Sequence, residues 1–131
     1  MAHIKLETSM LPIAVIDLNG AYDEEQAENF CIDMRQLLER METIAVVADA
    51  THAEMTSLRV RSVLNRFVGD IKPLSDQYTA CSALVLPNPI IRTAIAAMFH
   101  LKKPKNPMKV FKTREEAFSW VKHQLVLAGA R

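Results

Sequence analysis

Residues 82–121 read "SALVLPNPIIRTAIAAMFHLKKPKNPMKVFKTREEAFSWV", and their punctuation decides the fold. The apolar run ending at Leu86 reads as a strand, part of "TACSALVL" over 79–86. Pro87-Asn88-Pro89 then places an N-capping side chain before a proline at the first helical position, where a missing N–H is tolerated best. The helical pattern runs on to Leu101. After a lysine- and proline-rich loop, "MKVFK" (108–112) reads as a short strand. Thr113 with Glu116 has the spacing of a capping box and opens a last helix, "TREEAFSWVKHQLVLAG". A strand, a crossover helix and a second strand imply parallel pairing with right-handed connections.

The same alternation extends upstream. In "YDEEQAENFCIDMRQLLERM" (22–41), Asp23 with Gln26 forms another capping-box pair, and Glu24 and Glu25 suit the positive end of a helix. Ala27, Phe30, Cys31, Met34, Leu37, Leu38 and Met41 make its apolar stripe. "TIAVVAD" (43–49) is short, apolar and β-branched, as suits a central strand. A second helix is expected from near Ser57 to Ile71, buried through Leu58, Val60, Val63, Leu64, Phe67, Val68 and Ile71 and stopped by Pro73. At the start, "HIKLETS" (3–9) alternates like an edge strand, and "IAVIDL" (13–18) closes at Asn19-Gly20, a turn signal. Together they suggest an antiparallel hairpin. The predicted order is ββαβαβαβα: an α/β protein with a mostly parallel five-stranded sheet, an antiparallel edge strand and helices packed on it.

The chain has 131 residues, the length of one domain with one substantial core, so a single domain over 1–131 is expected. Half its residues are apolar and 24% charged, a globular composition. Neither long apolar run approaches the roughly 20 residues that span a bilayer. "MAHIKLETSM" lacks the layout of a signal peptide. Cys31 and Cys81 stand apart among apolar neighbours and read as buried thiols in a reducing compartment, so a cytoplasmic location is expected. Charge is segregated. Residues 1–54 hold eleven acids and three bases, and residues 55–131 thirteen bases and four acids. Such a dipole favours an anionic partner or head-to-tail contact between copies, unless the two halves neutralise each other on folding.

Asn88-Pro89, Val110-Phe111, Glu115-Glu116-Ala117 and Trp120, in this element order, resemble the SpoIIAA-like branch of the STAS superfamily (sulfate transporter and anti-sigma factor antagonist domains). Looser similarity reaches back through "AYDEEQAENFCIDMRQLLE" and "AVVADAT". The resemblance implies a non-catalytic regulatory module working through protein–protein contacts with an unidentified protein partner, with homodimer formation in view. It also implies a phosphorylated hydroxyl at the start of the helix after the third strand. Here that region is "DATHAEMTS" (49–57), with Asp49, Thr51, His52, Thr56 and Ser57 as the candidate switch and interaction residues. The family's Asp-Ser-Ser/Gly-Gly style signature is replaced by Met55-Thr56-Ser57-Leu58.

On physical grounds Thr56 or Ser57 is a good N-cap, and a phosphate there would meet the positive end of a helix. Asp49, His52 and Ser57 can be drawn as a nucleophile set, although nothing in their spacing requires it. The four histidines have no metal-ligand spacing, and the chain has no glycine-rich phosphate loop; Gly20 reads as a hairpin-type turn. No catalytic residue, metal or cofactor is assigned. The alternative function is a binder of a small anionic or lipid ligand, using Arg92, Lys102, Lys103 and Lys105 with the basic 102–112 loop. Nucleic acid is not expected, because aromatic side chains are not interleaved with these cations. Trp120 falls in a core stripe. Met98 and Phe99 are expected in the core, or as a docking patch if exposed.

Overall fold

Each predicted element forms, and its local signals set its start. A computed structural model describes residues 1–101 and 104–129. Strands β1 (His3–Glu7) and β2 (Ile13–Gly20) precede helix α1 (Glu24–Leu38), and β3 (Ile44–Ala53) precedes α2 (Leu58–Tyr78). Then follow β4 (Thr79–Val85), α3 (Pro89–Leu101), β5 (Met108–Phe111) and α4 (Arg114–Leu127). The sheet order is β1-β2-β3-β4-β5, with β1 antiparallel to β2 and every other pair parallel. This is the α/β arrangement expected from the sequence.

The caps act as their spacing implies. Asp23 accepts from the Gln26 amide at 2.8 Å while Gln26 accepts from the Asp23 amide at 3.0 Å. Gln26 also donates to the Ala2 carbonyl, which ties the helix start to β1. Asn88 accepts from the Ile90 and Ile91 amides, and Pro89 begins α3. At α4 the Thr113 hydroxyl accepts from the Glu116 amide. The return half of that box differs, because the Glu116 carboxylate accepts from the Thr113 hydroxyl rather than from its amide.

Four expectations are corrected. Pro73 does not stop α2, which continues to Tyr78. Its missing N–H would have bonded the Gly69 carbonyl, and both residues are exposed, where water can satisfy that carbonyl. Leu74, beyond the proline, still packs against the core. Asn19-Gly20 is not a turn but the end of β2; the reversal lies between Glu7 and Ile13, across a cis Leu11-Pro12 peptide. Gly20 has φ +63° beside Ala2, a close approach that a side chain would obstruct. Met41 is exposed rather than part of the α1 stripe: it lies past the helix with φ 58°, reversing the chain toward β3. Finally, β3 does not end at Asp49 as "TIAVVAD" suggests but runs on through Ala53, since Asn19 and Gly20 of β2 pair with His52 and Ala53.

Alternation along the strands divides the core. Ala14 and Val46 face α1 and α2 with Ala27, Phe30, Met34, Leu38, Phe67 and Ile71. On the other side Val15, Val47, Cys81 and Val85 meet Ala117, Val121 and Leu125 of α4. Trp120 packs on Phe111 with ring centroids 5.5 Å apart, a packing role as expected. Helix α3 lies against β5. Among the described residues no helix is long and apolar enough to cross a membrane.

Candidate functional site

Two neighbouring features occupy the carboxyl ends of β2 and β3, the side of an open α/β sheet where ligands and partners are commonly met. The first is a polar cluster. Asp17 and Asp49 stand opposite each other in the β2–β3 register. Arg114, at the start of α4, reaches between them: its Nε donates to Asp49 Oδ2 at 2.9 Å, and its terminal nitrogen lies 3.8 Å from Asp17 Oδ1. His3 Nε2 is 2.8 Å from the other Asp17 oxygen. Asp49 also accepts from both the amide and the hydroxyl of Thr51. Burial alone would push the Asp49 carboxyl up, but the two Thr51 hydrogen bonds and the Arg114 guanidinium outweigh it and hold it below the usual carboxylate range.

The second feature is the tip joining β3 to α2. The Glu54 amide donates to the Gly20 carbonyl and fixes the start of the loop. Ser57 caps α2, its hydroxyl accepting from the Val60 amide at 3.2 Å. Thr56 is half-buried and takes no part in the cap. Met55 and Leu58 flank the cap with 84% and 76% of their surface exposed. Leu58 was expected in the buried set of α2, as was Val68; both are exposed, because the helix face that packs is centred on Val60, Phe67 and Ile71. Arg59 extends toward Glu24 of α1 at 4.0 Å, a solvated contact.

The sequence-derived candidates thus separate. Asp49 and Thr51 are joined by hydrogen bonds and belong to the Arg114 cluster. Ser57 belongs to its own helix. His52 is exposed and hydrogen-bonds neither Asp49 nor Ser57 among the described residues, so the three do not assemble as a nucleophile relay. In the basic region, Arg92 donates to the Leu86 and Pro87 carbonyls at 3.1 and 2.9 Å and so closes the end of β4. Lys105 is exposed. Lys102 and Lys103 lie outside the described residues. Met98 is exposed and Phe99 half-buried, so Met98 lies outside the core and the two do not form an exposed pair. Burial pushes the Cys81 thiol up to about 11 and also raises that of the half-buried Cys31. The Asp17–Arg114–Asp49 cluster was not foreseen. Its one trace in the sequence is the acidic first half facing a basic second half.

The model of a family described as a domain of unknown function, DUF7793, matches residues 13–125. The chain belongs to that family. No curated protein matches this DUF7793 chain. Among solved structures it is similar to an uncharacterized protein of the DUF3478 family with a SpoIIAA-like fold from Shewanella loihica PV-4. The TM-score is 0.72 at 15% identity, over 92% of this chain and 95% of that one. It is also similar to the anti-sigma factor antagonist SpoIIAA in its unphosphorylated form, with TM-score 0.64 and 18% identity over 91% and 97% of the two chains. The Bacillus cell fate determinant SpoIIAA in the phosphorylated form gives 0.58 and 18% over 90% and 98%. The DUF7793 chain therefore has the SpoIIAA-like, STAS-type fold that its sequence resembles.

Proposed function

We propose that this DUF7793 domain is a non-catalytic regulatory module that binds a protein partner through the β3–α2 tip and is switched by phosphorylation at Ser57 or Thr56. The observation that carries this reading is the exposure of Met55 and Leu58 on either side of the capping hydroxyl. Apolar side chains held outward on a capped helix start are suited to anchoring in a partner's pocket. A phosphate on Ser57 would lie at the positive end of α2, which favours it electrostatically, while adding a dianion in the middle of that contact. Fold neighbours that exist in unphosphorylated and phosphorylated forms add support for a switch of this kind.

The test is quantitative affinity capture from the native cell with the wild-type chain, Met55→Asp/Leu58→Asp and Ser57→Glu, after circular dichroism confirms that all three fold. A partner recovered by the wild type and lost with both variants is the expected result. Identical recovery by all three would remove the tip from the interface.

A further inference from the structure

Part of the α1–α2 face of the sheet is incompletely closed. Against α4, Val15, Val47, Cys81, Val85 and Val121 keep at most 1% of their surface. On the α1–α2 face, Ile4, Tyr22, Phe30, Val46, Phe67 and Ile71 each keep 7% to 9%. Those remnants border one space. Helix α2 packs chiefly on α1 and meets the sheet mainly at β4, leaving a solvent-open groove of about 320 Å³ along it. Its floor includes Ile16, Val46, Ala48 and Ser82, and its roof Leu64, Val68, Ile71 and Ser75. The small side chains of Ala48 and Ser82, on adjacent strands, leave the volume unfilled.

The groove runs into a second hollow of about 340 Å³, which shares Val68, Ile71, Ser75, Thr79 and Ser82 and adds Lys72, Asp76 and Lys105. Lys72 is paired with Asp76 at 2.9 Å. Lys105 makes no ion pair among the described residues. The result is an apolar slot with hydroxyls along it and a net positive mouth. The floor strands β2, β3 and β4 are each paired on both sides, so the floor offers no free edge to an extended peptide. Each hollow falls near the lower end of the roughly 300–1,000 Å³ of small-molecule sites.

We propose that this slot binds a single-chain amphiphile with an anionic head, of the size of a medium-chain fatty acid. Its chain lies under α2 and its head meets Lys105 at the mouth. The assignment is independent of the β3–α2 tip. It keeps the ligand class that the sequence suggested for the 102–112 loop, but moves the chain-binding part into the space beneath the helix.

The experiment titrates decanoate and decanol, each below its micelle or solubility limit, into the intact chain, reading amide NMR shifts and thermal stability. Decanoate should saturate one site, shift Ile16, Val46, Val68 and Ile71, and raise Tm in proportion to the logarithm of its concentration. Ala48→Leu should fill the floor, keep or raise Tm, and abolish binding of both probes. Ser82→Val provides the same test should Ala48→Leu fail to fold. Lys105→Gln should weaken decanoate by about tenfold and leave decanol unchanged. Absence of saturable binding by either probe, or full binding by the filled variants, overturns the slot. Equal affinity for both probes, insensitive to Lys105→Gln, overturns the anionic head.

Discussion

Arg114→Gln tests the cluster that joins the two halves of the chain. Asp17 and Asp49 face each other across β2 and β3, and Arg114 is the cation between them. A hydrogen bond between charged groups contributes about 1.5–3 kcal/mol. The Asp49 side chain is only 14% exposed, but that of Arg114 is 44% exposed, so solvent screening lowers the expected loss to about 1–2 kcal/mol. For a chain of this length that corresponds to a fall in Tm of about 4–8 °C, read by circular dichroism at pH 7. The sign with pH follows from Asp49. Its folded value lies below the ordinary 3.8, so its stabilisation is fully present above 3.8 and is lost as pH falls through the lower folded value. The gap between wild type and Arg114→Gln should therefore hold at neutral pH and close as Asp49 is protonated in acid. Arg114→Lys should recover only part of it, since an ammonium keeps the charge but not the guanidinium geometry. A Tm unchanged at pH 7, or a gap that stays the same size however far the pH is taken below 3.8, would refute the assignment.

Three further outcomes follow from single residues. Ser57→Ala should cost about 1 kcal/mol through loss of the α2 cap, and Thr56→Ala measurably less, both read by urea denaturation. Gly20→Ala should cost about 1–2 kcal/mol, because φ is +63° and the new Cβ would stand 3.1 Å from that of Ala2; equal stability would mean that β2 ends differently. Leu38→Ala, at a fully buried side chain, should cost about 2–5 kcal/mol, whereas Leu58→Ala should stay within about 0.5 kcal/mol. Reversal of that order, again by denaturant titration, would contradict the burial of Leu38 at the end of α1 and the exposure of Leu58 at the start of α2.

The order of elements was legible because each helix carries its own start signal. Asp23 with Gln26, Asn88 with Pro89 and Thr113 act locally, and their geometry depends on little beyond the next three residues. Endings were less legible, since they depend on distant partners. Residues 50–53 carry no strand signal in sequence, yet they become strand because β2 offers Asn19 and Gly20 for pairing. Pro73 looks like a stop, yet the turn it weakens faces water and the helix beyond it still has Leu74 to bury. The candidate site divides in the same way. Ser57 as a cap was readable, while the exposure of Leu58 was not, because its spacing suits a buried stripe equally well. Asp49 and Arg114 are 65 residues apart, and no local pattern announces their meeting.

The charge segregation is resolved unevenly. Arg114 from the basic half sits between two aspartates of the acidic half, and Arg59 leans toward Glu24, so neutralisation occurs at the strand ends and at the start of α2. The other sheet edge stays cationic. Strand β5 is short and lies at that edge, Lys109 is on it and Lys112 follows it, and no acid occurs between Gln77 and Glu115. Lysines on a short edge strand discourage pairing with another chain, which gives those two cations a structural reason to be there without any ligand. Lys105 stands apart from them because it lines the slot beneath α2. The same helix carries the capped tip at its first turn and roofs the slot from Leu64 to Ser75. Helix α2 thus carries exposed apolar surface at one end and borders an apolar groove along its middle, the two features on which the two proposals rest.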